Sequence, residues 1–110
     1  MKAALFHPAA IEAIRSFPEA VRRELGKLLY DVQMEARLGM PQSRPMPSVA
    51  LGIEELRVRD RSGVYRAFYY VRSTRGVLVV HAFQKKTQAT SRQEIEMGRK
   101  RLREMMNEEI

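Results

Sequence analysis

Arginine and lysine side chains, whose cationic groups bind phosphate, are concentrated in one stretch of this chain. The stretch from Leu56 to Lys86 carries eight cations and one anion, Asp60. The cations are Arg57, Arg59, Arg61, Arg66, Arg72, Arg75, Lys85 and Lys86. Charges of opposite sign cancel elsewhere, with seven of each before the stretch and five of each after it. Because the net charge of +7 lies in this stretch, the sequence predicts a surface that binds a polyanion.

Side-chain alternation in two predicted strands places part of this charge on one face of a sheet. Leu56 and Val58 are the apolar half of the first strand, so we expect Arg57 and Arg59 to point to the opposite face. The better core set of the next strand is Tyr65, Ala67, Tyr69 and Val71. The other half of that strand includes Arg66, which is therefore expected on the open face beside the first two arginines.

We predict that this open face is concave, with Lys85 and Lys86 at the end of the last strand and Phe68 and Tyr70 along its edge. Guanidinium groups bind phosphate through two parallel hydrogen bonds, and aromatic rings stack on unpaired bases. The wider set of predicted RNA-contacting residues is Arg61, Phe68, Arg72, Arg99 and Arg103. The alternative is that the basic strands form a solvated outer face and that the rings belong to the core.

Other kinds of chemistry have little support in the composition. The chain has no cysteine, which excludes disulfides and thiolate chemistry and fits a reducing cytoplasm. With two histidines, His7 and His81, and no carboxylate cluster in the strands, we expect no metal site and no cofactor. His81 is predicted to be a packed strand residue and is kept as a minor candidate base. No apolar run approaches the ~20 residues of a membrane span, so we expect a cytoplasmic protein without membrane contact.

The elements that must position these residues follow from periodicity and from helix-capping signals. We predict a short strand at 3–6, a helix opened by Pro8, and a second helix that begins near Ser16 and ends at Gly39. A loop over 40–52 precedes three antiparallel strands. Ser91 and Glu94 have the spacing of a capping box for a C-terminal helix. The prediction is one α+β domain over residues 1–110, a small antiparallel twisted sheet with the helices on one face.

At these same residues the sequence resembles the RelE/ParE/HigB toxin superfamily, and within it the phage-derived, HigB-like branch. The matching pieces are Glu55 to Arg57, Tyr65 to Ala67 together with Tyr69, His81 to Thr87, and the helix from Glu94 to Arg103. The resemblance implies a compact RelE-like α+β fold. It also implies cleavage of mRNA in the ribosomal A site without a metal, and neutralisation by an antitoxin that is commonly a helix-turn-helix, HigA-like protein.

The resemblance also implies roles for individual residues. The basic residues of RelE-type toxins fall on Arg57, Arg59, Arg66 and Lys86, and their implied role is to orient the scissile phosphate and stabilise its extra negative charge. The family's proton-transferring lysines are arginines here, which are poor bases, and its C-terminal tyrosine has no counterpart. The general base therefore stays open between Tyr70, His81 and Lys85.

The resulting hypothesis is the toxin of a toxin–antitoxin pair, a metal-independent endoribonuclease that acts on translated mRNA at the ribosome in the cytoplasm. Two alternatives remain open at this point. One is a ParE-like inhibitor of DNA gyrase without nuclease activity, and the other is a nucleic-acid-binding accessory protein that does not arrest growth.

Overall fold

Strands and helices alternate in an α+β order along residues 1–107, which are the residues that the computed structural model describes. The elements are β1 (Ala4–Phe6), α1 (Pro8–Arg15), α2 (Glu19–Gln33), β2 (Ser43–Pro45), β3 (Ile53–Asp60), β4 (Gly63–Tyr70), β5 (Val77–Lys85) and α3 (Arg92–Asn107). This order confirms the predicted α+β class. None of the helices in these residues is long and apolar enough to cross a membrane.

The sheet is larger than predicted and is mixed. Its strand order is β1-β5-β4-β3-β2, with β1 parallel to β5 and the other pairs antiparallel. The predicted loop over 40–52 contains an extra edge strand, β2, which pairs with β3. Pro45 ends this strand, as is allowed at a sheet edge, where one row of N–H groups needs no partner strand.

The helices cover both faces of the sheet, so the prediction that they share one face is wrong. Helices α1 and α2 pack on the face that carries Leu56, Val58 and Tyr65. On the opposite face, α3 packs through Leu102 and Met105. The reason lies in β5, whose residues 77–83 are all buried. A strand that is apolar on both sides needs cover on both sides.

A β-bulge in β5 determines which of its side chains meet α3. Phe68 pairs with His81 and Tyr69 pairs with Val79, which leaves Val80 as the extra residue. The bulge shifts the alternation by one position. As a result His81 contacts α3, although simple alternation from Val79 would have placed it against α1 and α2.

The ends of the first two helices follow local backbone chemistry. Pro8 begins α1 as predicted, and His7 caps the helix by accepting a hydrogen bond from the Ala9 N–H at Nδ1 (3.1 Å). Helix α2 has Pro18 as its N-cap, two residues after the predicted start near Ser16. It ends at Gln33, six residues before the predicted Gly39, because Glu35 adopts a positive φ of 65° that an α-helix cannot continue.

Helix α3 approaches the sheet closely, and its N-terminus is capped as predicted. The Glu94 N–H donates to Ser91 Oγ at 3.3 Å. The other half of the predicted capping box is replaced, because the Glu94 carboxylate bonds to His81 instead. Gly98 faces Phe68, and a Cβ atom at this glycine would lie 2.7 Å from the Phe68 ring. The absence of a side chain at this position therefore permits the close contact.

Candidate nucleic-acid interface

Three of the predicted arginines line one pocket near the turn between β3 and β4. Arg57 on β3 and Arg66 on β4 are direct cross-strand partners, and Arg59 lies two residues further along β3. Their facing, opposite to Leu56 and Val58, is confirmed. The pocket has a volume of about 390 Å³, and its lining consists of Pro41, Gln42, Arg57, Val58, Arg59 and Arg66.

Glu55 is a buried carboxylate at the base of this cluster, and it was not among the predicted site residues. Its Oε1 atom lies 3.4 Å from Arg44 Nε, 3.4 Å from Arg66 Nε and 3.9 Å from Arg57 Nε. The side chain has no exposed surface. Alternation along β3 already places Glu55 on the face of Arg57 and Arg59, so the signal was present in the sequence. Arg44 was also missed, because it belongs to β2, which was predicted as loop.

Burial and charge change the proton affinity of two of the cations. Burial lowers the pKa of Arg66, an effect that the nearby Glu55 carboxylate opposes. Burial also lowers the pKa of Lys85, and the positive charge of Arg66 lowers it further. Lys85 pairs with Val64 and Arg66 pairs with Phe83, so both cations lie on the α3 face of the sheet. Lys85 Nζ donates to the Gln88 carbonyl at 2.6 Å.

Three other predicted cations are exposed and lie near this end of the sheet. Lys86 directly follows β5 and is exposed, as are Arg59 and Arg61. Arg61 lies in the turn between β3 and β4, where the Asp60 carboxylate accepts from the Ser62 N–H (2.8 Å) and hydroxyl (2.6 Å). The basic end of the sheet therefore combines the buried Arg66 and the half-buried Arg57 with exposed cations.

The prediction that Phe68 and Tyr70 line the edge of the open face is wrong. Phe68 is fully buried, because α3 covers it and Phe83 packs edge-on at a centroid distance of 5.4 Å. Its ring is therefore not available to stack on a base. Tyr70 is half-buried at the far end of β4, and its ring lies close to Gly52. Arg72 lies beside the same glycine, away from the arginine pocket.

His81 is a buried link between β5 and α3, as predicted for a packed strand residue. Arg101 Nη1 donates to its Nδ1 atom (2.7 Å), so its Nε2–H donates to Glu94 Oε1 (2.7 Å). Burial lowers the pKa of His81, which favours this neutral ring. With both nitrogens occupied and 5% of the residue exposed, His81 is not placed to act as a base.

The predicted cations of α3 lie on a different surface. Arg99 Nε and Nη2 donate to the carbonyls of Val49 (3.2 Å) and Ser48 (2.5 Å), which fastens the loop before β3 to the helix. Arg103 is exposed and lines a separate groove of about 460 Å³ along α3. Met105 fills the core, whereas Met106 is 49% exposed.

Residues that could hold a metal ion are not clustered in the described part of the chain. Within residues 1–107 no group of three or more histidine, aspartate or glutamate side chains is placed as a ligand set.

Comparison with known proteins finds one matching family and several structures with a similar fold. Residues 12–103 match the family model of the phage-derived Gp49-like proteins. A chain of the intact E. coli RelBE toxin–antitoxin complex superimposes with a TM-score of 0.54 at 22% identity, covering 79% of this chain and all of that one. The isolated E. coli RelE toxin gives a TM-score of 0.55 at 23% identity, covering 80% and 89% of the two chains.

The similarity extends to a second organism. A chain of the RelBE2 toxin–antitoxin complex of Mycobacterium tuberculosis has a TM-score of 0.55 at 14% identity, covering 76% of this chain and 98% of that one. No curated protein matches the sequence. At these identities the structural matches establish a common fold.

Proposed function

Because the chain belongs to the family of phage-derived Gp49-like proteins and has the RelE fold, we propose that it is the toxin of a toxin–antitoxin pair. In this proposal it is an endoribonuclease that cleaves translated mRNA at the ribosome, and it therefore acts in the cytoplasm. The observation that carries the proposal is the pocket lined by Arg57, Arg59 and Arg66.

The pocket supports binding of a phosphodiester more than binding of a neutral ligand. Three guanidinium groups border it, and the charge of Glu55 offsets only part of theirs. Arg66 is buried and Arg57 is half-buried, so water screens their charges less than it screens those of surface cations, and they attract an anion more strongly. The exposed Arg59 and Lys86 add longer-range attraction for the RNA backbone.

The proposed reaction uses the RNA's own 2′-hydroxyl as the nucleophile. Its oxygen forms a bond to phosphorus while the bond from phosphorus to the 5′-oxygen breaks, which leaves a 2′,3′-cyclic phosphate and a free 5′-hydroxyl. Arg57, Arg66 and Lys86 stabilise the negative charge that builds on the phosphoryl oxygens. We assign the acid that protonates the leaving 5′-oxygen to Lys85, while the base that takes the 2′ proton is not assigned.

The proposed partner is an antitoxin of the helix-turn-helix, HigA-like kind. A basic pocket attracts polyanions of many types, so a neutralising partner is expected to present acidic side chains to it or to block it sterically. Protection of Arg57 and Lys86 in the complex would support direct cover of the pocket. Full exposure of both would favour exclusion of the toxin from the ribosome.

The test is primer extension on cellular mRNA after brief induction of the parent and of the double variant Arg66→Ala/Lys86→Ala. We expect cuts within translated codons for the parent and none for the variant. Arg72→Ala is the matched control, because it also removes an arginine but lies beside Gly52, away from the pocket. Circular dichroism of each purified variant separates loss of function from loss of folding.

Two results would contradict the proposal. Cuts that persist in the double variant would mean that the pocket is not the site. Intact mRNA together with arrested growth would exclude ribonuclease action, and accumulation of gyrase–DNA breaks in that case would support the ParE-like alternative.

A further inference from the structure

Glu55 occupies an unusual position for an acidic residue in a basic protein. It lies in the middle of β3 and is completely buried. Its cross-strand partners are Arg44 on β2 and Phe68 on β4. Carboxylates are almost never fully buried unless they are paired. The role of Glu55 therefore has to be found in the groups that surround it.

One oxygen of Glu55 faces three guanidinium groups and makes no hydrogen bond within residues 1–107. The Nε atoms of Arg44, Arg57 and Arg66 lie 3.4–3.9 Å from Oε1, and each of these nitrogens also lacks a hydrogen-bond partner there. The contacts are therefore ionic attractions that converge on a single atom. Three side chains share one anion, so none of them is fully neutralised.

The same carboxylate resolves a conflict between the two central arginines. Arg57 and Arg66 are direct cross-strand partners, and like charges in such a pair repel each other. Burial increases that repulsion because water screens it less. An anion behind both side chains allows them to remain side by side on the pocket wall.

The second oxygen of Glu55 connects the cluster to the loop between β5 and α3. Thr90 Oγ1 donates to Oε2 at 3.0 Å. The same loop contains Lys86 and follows directly after Lys85. One carboxylate thus contacts the arginines through one oxygen and the loop through the other, and it fixes their relative positions.

We propose that Glu55 is a positioning residue of the pocket, which holds Arg44, Arg57 and Arg66 together through Oε1 and the lysine-bearing loop through Oε2. Its importance for cleavage rests on the proposed function, whereas its effect on the guanidinium groups does not. Glu55 itself contacts no substrate in this scheme. It acts by keeping the cationic donors where the phosphate enters.

The first test replaces Glu55 by glutamine, which keeps the shape but removes the charge. We expect the ¹⁵N–¹H signals of the Arg44, Arg57 and Arg66 Nε groups to shift or broaden, because the anion that fixes them is gone. In RNA cleavage we expect kcat to fall about 100-fold, the scale for misplaced catalytic groups. We expect KM to change much less, since the exposed cations still attract RNA.

The matched control is Glu54→Gln, the same substitution one residue earlier in the same strand. Glu54 accepts from Ser43 Oγ at 3.2 Å and points to the opposite face of the sheet. This variant changes the net charge equally, so it removes any effect of overall charge. We expect its Nε spectrum and its kcat to equal those of the parent.

A second pair of variants addresses the loop connection and does not disturb the buried charge. Thr90→Val removes the hydroxyl that binds Oε2, and Thr90→Ser restores it. We expect the valine variant to alter the Arg66 Nε signal and to lower kcat, and the serine variant to recover both. This pair decides the proposal if Glu55→Gln does not fold.

The outcomes separate this inference from the proposed function. If the parent protein cleaves no RNA but the Nε signals still respond to Glu55→Gln and Thr90→Val, the proposed function is contradicted and the positioning role is supported. Nε signals and kcat that stay at parent values in a folded Glu55→Gln variant would overturn the inference. A lower melting temperature as the only change would likewise reduce Glu55 to a structural residue.

Discussion

At the scale of single residues, Lys85 differs from the arginines of the pocket in its ability to exchange a proton. Arginine remains protonated in proteins, so Arg57 and Arg66 supply charge and hydrogen bonds but no proton. His81 is buried and bonded at both nitrogens, and Tyr70 lies at the other end of β4. Lys85 lies on the face of Arg66, where burial and neighbouring positive charge lower its pKa.

We predict that Lys85→Arg slows cleavage about 100-fold at pH 7, because an arginine is too weak an acid and general acids contribute at least that much. The deficit should shrink as the pH rises through the pKa of Lys85, which lies below the ordinary value of 10.5, since the parent then loses its own acid. Cleavage rates of the parent and of Lys85→Arg, measured between pH 6 and 10, give the ratio of the two rates at each pH.

The control for this prediction is Lys86→Arg, which changes the exposed neighbour and keeps the charge. Its rate should follow that of the parent at every pH. A Lys85→Arg variant as fast as the parent at pH 7 would show that Lys85 contributes charge alone.

At the scale of elements, α3 determines how much of the sheet face is open. The helix covers Phe68, Leu78, Val80 and Phe83, whereas the residues that line the arginine pocket belong to β3, β4 and the segment before β2. It is fastened at several points along its length. Glu94 and Arg101 bond to His81, Arg99 bonds to two carbonyls of the loop before β3, and Glu104 bonds to His7 at 2.7 Å. Phe68 is therefore buried because these contacts hold α3 in this position.

We predict that Gly98→Ala lowers the free energy of unfolding by about 1–3 kcal/mol, the usual cost of overpacking. The added Cβ would lie 2.7 Å from the buried Phe68 ring and 3.2 Å from Val49 Cγ1, which forces α3 away from the sheet. Urea denaturation of the purified protein measures the change.

Gly26→Ala is the matched control in α2, where an added Cβ has no atom within 4 Å. This variant should gain about 0.5–1 kcal/mol, because alanine favours the helix over glycine. Equal effects of the two substitutions would contradict the close packing of α3 on Phe68.

At the scale of the whole molecule, the positive charge is divided between two ends of the sheet. Arg57, Arg59 and Arg66 lie near the turn between β3 and β4, whereas Arg72 lies beside Gly52 at the opposite end. Arg75, close to Arg72 in sequence, bonds to the Met105 carbonyl of α3. The cationic stretch from Leu56 to Lys86 is continuous in the sequence, but in the fold its charges lie on two separate surfaces.

We predict that the salt dependence of RNA binding distinguishes these two ends. For a single-stranded oligoribonucleotide, Arg59→Gln should reduce the slope of log K against log salt by about 0.7, the contribution of one neutralised phosphate. Arg72→Gln removes the same charge and should leave the slope unchanged. Fluorescence anisotropy measures both slopes between about 50 and 200 mM salt, where phosphate contacts change the affinity strongly. A reduced slope for Arg72→Gln would instead place the RNA at the other end of the sheet.

Local patterns in the sequence already specify much of this molecule. The alternation around Leu56 and Val58 was enough to place Arg57, Arg59 and Arg66 on one face, because side-chain direction in a strand depends on adjacent residues only. Ser91 likewise identified the start of α3. The resemblance of these segments to RelE-type toxins gave the fold, which the structural matches confirm.

Tertiary structure alone decided what covers each face and which charges meet. The side chains on either side of Phe68 do not reveal that α3, through Gly98 thirty residues later, closes over its ring. Nor does the local sequence bring Arg44 to Glu55, since this contact depends on the pairing of an edge strand that reads as loop. Both outcomes depend on contacts between residues far apart in the chain, which periodicity and spacing do not encode.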